Sequence, residues 1–368
     1  MSLSKPALRA LLASAALALP GLALANTLNV QITADIRSSQ PGINRDAGTD
    51  SVILNVVEGL VAAGEKGEIH PMLAKEWTVS DDGKTYTFTL RDGVTFHNGE
   101  TMTAADVQWS LEKLIRDPEF SCKTFFDGSR DAKVEAIEAK DTHTVVMRLD
   151  RPDAMFLNYM AQAQCGSTGI VHRSSFGDDG KWKAPIATGP FVFGEWKRGE
   201  GLTLKKFANY AISGEKPDGY GGRKEVLVDE VKYVVVPDTA TAVAGLKSGA
   251  LDVLPYLPPG EAAKLSGEKD FNIVAAPHGG LVTMLFQTAD PLMSNVDMRQ
   301  AVIAALDTAQ IVESVTYGLG VPNNSLVASG SLYHTAAHDK GYTYDPAATK
   351  ALLDKAGYKG EKINILTN

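Results

Sequence analysis

Cysteine is nearly absent from this sequence, and so are the patterns by which most enzymes reveal themselves. Cys122 and Cys165 are its only two cysteines. Neither has a second ligand at metal-binding spacing, which argues against a zinc site built on thiolates. Gly-x-Ser-x-Gly does not occur, so the strand-to-helix elbow that carries a hydrolase nucleophile is missing. Beyond residue 25 no apolar run approaches membrane length. There is no repeat, low-complexity tract or long charge run, and the sequence reads as well-mixed and globular. Positive charge is in deficit, with 36 Lys and Arg against 44 Asp and Glu and a formal net charge of −8. An acidic chain of this kind is a poor ligand for nucleic acid or an anionic membrane surface.

What is present begins with an export signal over residues 1–25. Lys5 and Arg9 form a basic start, Ala10 to Leu19 is an apolar run, and Ala23-Leu24-Ala25 has the small-x-small pattern of a cleavage site. Its removal takes away two positive charges, Lys5 and Arg9, and brings the formal charge from −8 to −10. Asn26 and not cysteine stands directly after the site, so the expected product is a periplasmic protein without a lipid anchor. In an oxidising compartment Cys122 and Cys165 read as one disulfide, with two buried free thiols as the alternative.

Gly83-Lys84-Thr85 has the ending of a phosphate-cradling loop. Such a loop needs a glycine five residues before the Gly-Lys pair, where Thr78 stands, and a helix after it. Here Tyr86, Phe88 and Leu90 alternate with threonines, which is the period of a strand. Asp81-Asp82-Gly83 between two alternating arms is turn chemistry. The motif is a hairpin corner.

Elsewhere the spacing predicts a strand at Leu28–Ile32, a polar loop over 35–50 and a helix over Ser51–Ala63. A second hairpin arm carries Val94 and Phe96. A helix over Thr103–Ile115 has Asp106 placed for a capping box, and a hairpin over Val134–Leu149 turns at Lys140-Asp141. Ala154–Met160 reads as a short helix. Strands follow at 191–193, 202–207, 231–236, 251–254, 272–275, 283–286 and 363–366. Helices are predicted from Asp238 to Gly249, over Met298–Val315, and from Asp345-Pro346 to Gly357. The strand–helix–strand order after Val231 is the unit of an α/β sheet. His334-x-x-x-His338 would put two imidazoles on one helical face. With no third ligand evident it reads as a solvated loop, so no metal and no cofactor is expected. Gly219-Tyr220-Gly221-Gly222 reads as a flexible loop.

The stretch LAKEWTVSDDGKTYTFTLRDGVTFHNGETMTAADV, Leu73 to Val107, resembles the extracellular solute-binding proteins of peptide- and nickel-type ABC importers, family 5. The tryptophan before the hairpin, the Leu-Arg-x-Gly-Val-x-Phe-His-x-Gly run and the Thr-Ala-x-Asp-Val helix opening carry the likeness. It continues through Ala187-Thr188-Gly189-Pro190-Phe191, with Ala187 in place of the usual glycine. Val236-Pro237-Asp238 to Leu251-Asp252-Val253, Met298-Arg299-Gln300-Ala301 and Tyr344-Asp345-Pro346 to Gly357 extend it. The match covers essentially Leu28 to Leu366.

The resemblance implies an α/β, two-lobed periplasmic-binding-protein fold of the class II type with an extra domain on lobe I. Lobe I would comprise residues 26–60 and 185–277, the extra domain 61–184, and lobe II would begin at 278 and run to 368, where the chain would stop within that lobe. It implies capture of a small solute between lobes and its delivery to an inner-membrane ABC permease, by a monomer with no catalytic residue. Peptides are the default cargo, and opines, sugars, nickel chelates and haem stay open. By position in the family pattern the ligand contacts would be Asn44, Arg45, Asp46 and Ala47, then Phe125 or Phe126. Gly280, Leu281 and Val282 would offer backbone pairing to an extended peptide. Arg45 could meet a carboxylate and Asp46 an amine. A secreted α/β hydrolase is one alternative, because a dispersed Ser/His/Asp triad leaves no spacing signature. A ligand-sensing or chaperone-like binding protein is the other.

Overall fold

Two sheets, each covered on one face by its own apolar cluster, organise the N-terminal two thirds of the chain. The computed structural model describes residues 26–275, 281–323, 325–341 and 343–366. The export signal expected over residues 1–25 therefore lies outside the described residues.

Elements are numbered in chain order. The first sheet contains β1 (Thr27–Ile32), β8 (Phe191–Lys197), β9 (Gly201–Lys206) and β10 (Glu230–Val235) in the order β1-β10-β9-β8. β1 runs parallel to β10, and the other pairs are antiparallel. Inward positions alternate, as a one-sided sheet requires: Val231 and Tyr233 are buried while Lys232 is exposed. Helix α1 (Ala47–Ile53) and the chain after it press Val52, Ile53, Val56 and Val57 against that face. On the opposite face Glu195, Lys197, Thr203 and Lys232 line an open groove of about 390 Å³.

The predicted Ser51–Ala63 helix is shorter than its periodicity suggests. α1 stops at Ile53, where the Asn55 side chain donates to the Ser51 carbonyl at 2.7 Å. Gly59 then runs so close to Ser167 that a Cβ there would lie 2.0 Å from its carbonyl oxygen. The last residues of that segment form β2 (Val61–Ala63), which pairs with β3 (Ile69–Pro71).

The second sheet has the order β4-β5-β7-β6, built from β4 (Ala74–Val79), β5 (Thr85–Leu90), β6 (Val134–Ala139) and β7 (Thr144–Leu149). The Ser80–Lys84 corner is a turn: Asp82 Oδ1 accepts from Ser80 Oγ at 2.6 Å and from the Lys84 N–H at 3.1 Å, and Gly83 has φ +68°. Tyr86, Phe88 and Leu90 point inward. Helix α2 (Ala104–Ile115) covers them and carries the reciprocal Thr103–Asp106 capping box. The arm with Val94 and Phe96 is a loop with a single bridge, Thr95 to Thr101. Helix α3 (Phe156–Ala161) seals the cluster with Phe156 and Met160. A disulfide joins Cys122 to Cys165, with Cα atoms 5.4 Å apart.

Later elements are α4 (Thr239–Ser248), α5 (Pro259–Leu265), α6 (Val296–Ala304), α7 (Thr308–Thr316) and α8 (Pro346–Ala356). The helix predicted over 298–315 is two helices. Asp307 accepts the Gln310 N–H at 3.0 Å and starts a new one. The strands expected at 272–275, 283–286 and 363–366 are not formed, because no partner strand lies beside them among the described residues. At 251–254 a single parallel bridge from Val253 to Val30 stands in place of a strand. Among the described residues no helix is long and apolar enough to cross a membrane.

Candidate functional site

The loop after β1 is held by its own charges. Arg45 places Nε at 2.7 Å and Nη2 at 2.6 Å from Asp50 Oδ2, and both side chains are largely buried. Burial pushes the Asp50 carboxyl above its ordinary range, and the Arg45 guanidinium only partly opposes this. Asp46 caps α1 through a 2.8 Å bond from the Thr49 N–H and pairs with Arg37 at 2.7 Å. Both charges singled out in the sequence are thus engaged within the loop. Ala47 is the first residue of α1, and Asn44 sits in the left-handed region at φ +42°.

The loop is also tied to the second core. Ile43 bridges to Phe120, and the Ser121 N–H donates to the Gly42 carbonyl at 3.0 Å. Gly166 comes so near that a Cβ on it would lie 2.6 Å from the Gly42 nitrogen. The dent lined by Gly42, Arg45, Asp50 and Gly166 has no room for a water molecule.

The structure adds residues that the sequence did not suggest. Tyr220 and Tyr256 are 47% and 58% exposed. Partial burial, then the charges of Tyr256 and Asp50, push the Tyr220 hydroxyl up, so this ring lies within electrostatic reach of the Arg45–Asp50 pair. The Gly219–Gly222 segment is a closed turn, bridged from Asp218 to Gly221. Gly222 has φ +75° and approaches the Lys216 carbonyl too closely for any side chain. An aromatic flanked by glycines in a fixed turn was the available signal.

Of the two phenylalanines, Phe126 is 1% exposed and packs between Phe120 and Phe156. Its ring belongs to the core. Phe125 is half-buried and stacks on Tyr159, centroids 4.4 Å apart, with Arg130 on its ring at 4.8 Å. Gly280 lies outside the described residues. Leu281 and Val282 are exposed and not part of a strand.

The crossing between the two cores runs through Ala187–Pro190. The Gly189 N–H donates to the Val56 carbonyl at 3.0 Å, and Thr188 Oγ1 to Glu58 Oε2 at 2.9 Å. His97 Nε2 meets the Gly189 carbonyl at 3.0 Å, and the Ala187 N–H donates to its Nδ1 at 3.3 Å. That pattern needs the neutral ring with its proton on Nε2. Burial lowers the His97 value, outweighing its bonds to backbone carbonyls. The unfolded ring therefore binds protons that the folded ring refuses. Stability is full above about pH 6.5, and it falls as pH drops from there through the folded value. We expect the melting temperature to fall between pH 7 and pH 5, and His97→Gln to flatten that fall. An identical fall in the variant would assign the acid sensitivity elsewhere.

The His334 and His338 rings lie tilted to one another with centroids 5.4 Å apart, and His338 Nδ1 accepts the Thr335 N–H at 2.9 Å. Among the described residues one group has metal-ligand character, Glu68, His70 and Asp218.

Comparison with known proteins places these features in company. The sequence profile of the bacterial extracellular solute-binding proteins, family 5, matches residues 68–368. The dipeptide-binding protein DppE of Bacillus subtilis (strain 168) is 30% identical over 333 residues, 85% of this chain and 58% of its own length. The solute-binding protein AgaA from A. tumefacien R10, solved with agropinic acid, is 29% identical with a TM-score of 0.65, covering 90% of this chain and 64% of its own. DppA from Helicobacter pylori, solved with the peptide STSA, is 25% identical with a TM-score of 0.67, covering 90% and 66%. The chain thus spans about 60% of the length of the relatives it matches.

Proposed function

The chain belongs to the bacterial extracellular solute-binding proteins, family 5, and on that premise we propose that it captures a small solute of the peptide class for an ABC permease. Its fold is the mixed α/β, two-lobed fold of those proteins. In this reading residues 26–60 and 185–277 form lobe I, 61–184 an extra domain on it, and 278–368 belong to lobe II. The protein acts in the periplasm as a monomer, and no residue is catalytic. Ligand capture is lobe closure, with the loop after β1 and the insert aromatics facing the solute.

The observation that carries this reading is the largely buried Arg45–Asp50 pair in the loop after β1, with a half-exposed Tyr220 whose hydroxyl feels the Asp50 charge. A buried ion pair holds its geometry without a ligand, and exposed tyrosines supply contact area at low entropic cost. Asn44, Arg45, Asp46, Ala47, Phe125, Leu281 and Val282 complete the proposed contact set, with Gly280 retained from the sequence. The choice of peptides rests on the dipeptide-binding relative and on the peptide-bound neighbour.

Native mass spectrometry of the protein purified from its producing cell tests the cargo. A ladder of peptide masses released on denaturation is the expected result. Titration with a peptide so identified should bind the Tyr220→Ala and Phe125→Ala variants about tenfold more weakly than the parent. A single non-peptide mass would overturn the peptide assignment. Hydrolysis of the added peptide would overturn the non-catalytic reading.

A further inference from the structure

We propose that Glu68, His70 and Asp218 form a binding site for a divalent transition-metal ion of the zinc class, which clamps the 216–222 loop to the β2–β3 hairpin. The proposal stands apart from solute capture and would survive its failure. Glu68 and His70 are two residues apart on extended chain, so both project to the same side of the hairpin. Asp218 arrives from the loop between β9 and β10. Its Oδ1 accepts the Glu65 N–H at 2.8 Å, and the Tyr220 N–H donates to the Ala63 carbonyl at 2.9 Å. These bonds set the loop against the hairpin and leave Asp218 Oδ2 directed at His70 Nε2, 3.0 Å away. One donor atom from each of the three residues lies within 4.8 Å of the others.

A second observation points the same way. Glu68 Oε2 is shut off from solvent with no hydrogen-bond partner, and His70 Nε2, likewise shut off, faces the Asp218 carboxylate oxygen 3.0 Å away. An acceptor left in that condition is destabilising. A cation between them would satisfy both. Gly64 provides the room, since a Cβ there would stand 2.5 Å from His70 Nε2.

The donor set selects the metal. An imidazole nitrogen with two carboxylates suits zinc and its neighbours better than calcium or magnesium, which take oxygen ligands throughout. Bonds of about 2.0–2.2 Å in a tetrahedron put donors about 3.4 Å apart, a separation that His70 and Asp218 already approach. Rotation of the Glu68 side chain closes the remainder, and water completes the fourth position. The Glu65 N–H bond to Asp218 orients the ligating carboxylate, as outer partners do in such sites. The expectation of a metal-free protein, formed from cysteine and histidine spacing, had no access to a ligand 148 positions from its partner, the separation of Asp218 and His70.

The test is equilibrium dialysis of the whole chain against ZnCl₂, followed by elemental analysis of the washed protein. The parent should retain about one zinc per chain, and its melting temperature should rise with zinc. His70→Ala and Asp218→Asn should each drop retention about tenfold or more and lose the thermal shift. Circular dichroism of the metal-free proteins shows whether the variants keep the parent fold. Asp218→Asn preserves an acceptor for the Glu65 N–H and serves if His70→Ala fails to fold. A His334→Ala/His338→Ala variant should bind as the parent does. Retention far below one zinc in the parent would overturn the site. So would unchanged retention in both ligand variants, or loss in the His334/His338 variant.

Discussion

Glu58→Ala is expected to destabilise the protein by about 3–5 kcal/mol in equilibrium denaturation, more than any single surface change. The Glu58 side chain is 1% exposed. It accepts from Thr188 Oγ1 at 2.9 Å and from the Tyr210 hydroxyl at 2.8 Å, and Lys224 Nζ stands 4.0 Å away. Burial, reinforced by the Glu58 charge, holds the Tyr210 hydroxyl far above its ordinary value. Burial lowers the Lys224 ammonium, and Glu58 is the charge that opposes this. Truncation to alanine strands all three groups at once. The cost is that of unpaired buried polar atoms rather than of a lost attraction. Glu58→Gln keeps an acceptor and should lose roughly half as much. Lys224→Met added to Glu58→Ala should restore part of the loss, because it removes the orphaned charge. A Glu58→Ala protein within about 1 kcal/mol of the parent would show that water reaches these groups, and the network would have no structural weight.

The second large effect belongs to the disulfide. Replacing Cys122 and Cys165 together by alanine should cost about 4 kcal/mol, the chain-entropy value for a link spanning 43 positions. The consequence should reach the candidate site. Cys165 leads into Gly166, Ser167 and Thr168, three consecutive residues in the left-handed region at φ +61°, +49° and +43°. Two of them carry side chains, and such conformations persist only where surroundings over-determine them. Thr168 Oγ1 donates to the Met160 carbonyl at 3.0 Å, and Gly166 packs on Gly42. Freed from Cys122, this run can relax and withdraw support from the loop that carries Arg45. We expect the double variant, and the parent in reductant, to show the same fall in urea midpoint together with weaker solute binding. A midpoint shift equivalent to less than about 1 kcal/mol would mean that packing alone holds the segment.

Much of the β4–β7 sheet and its surroundings was legible because the signals are local. Asp81-Asp82-Gly83 fixes a turn by side-chain and φ chemistry within five residues, and Thr103 with Asp106 closes a cap within four. Asp345-Pro346 and Gly357 bound α8 in the same way. Apolar alternation misled where it lacked a partner. Residues 272–275, 283–286 and 363–366 have the composition of strands, yet a strand is a property of two segments and not of one. The 298–315 periodicity ran through a break that a single aspartate imposes, because Asp307 satisfies backbone donors better at a cap than within a helix.

The site was legible only in part. Arg45 and Asp46 stood out as charges, and their partners Asp50 and Arg37 lay near enough in sequence to be found, but loop charges give no sign of which will pair. That the Tyr220 hydroxyl would feel the charge of Asp50, 170 positions earlier, could not be read without the fold. Which of Phe125 and Phe126 packs on Phe156 is likewise a tertiary fact.

The parallel pairing of β1 with β10 has a kinetic side. The Asn26 N–H donates to Asp229 Oδ2 across 203 positions, whereas β4 to β7 mostly join sequence neighbours through tight corners. Folding rates fall as mean contact separation rises, since distant segments must meet before their bonds reward the encounter. Once the β4–β7 sheet has formed, the chain on either side of it is drawn together, and the β1–β10 register comes within easier reach. Along the assembly route, β1 leaves the ribosome well before β10 and must wait for it.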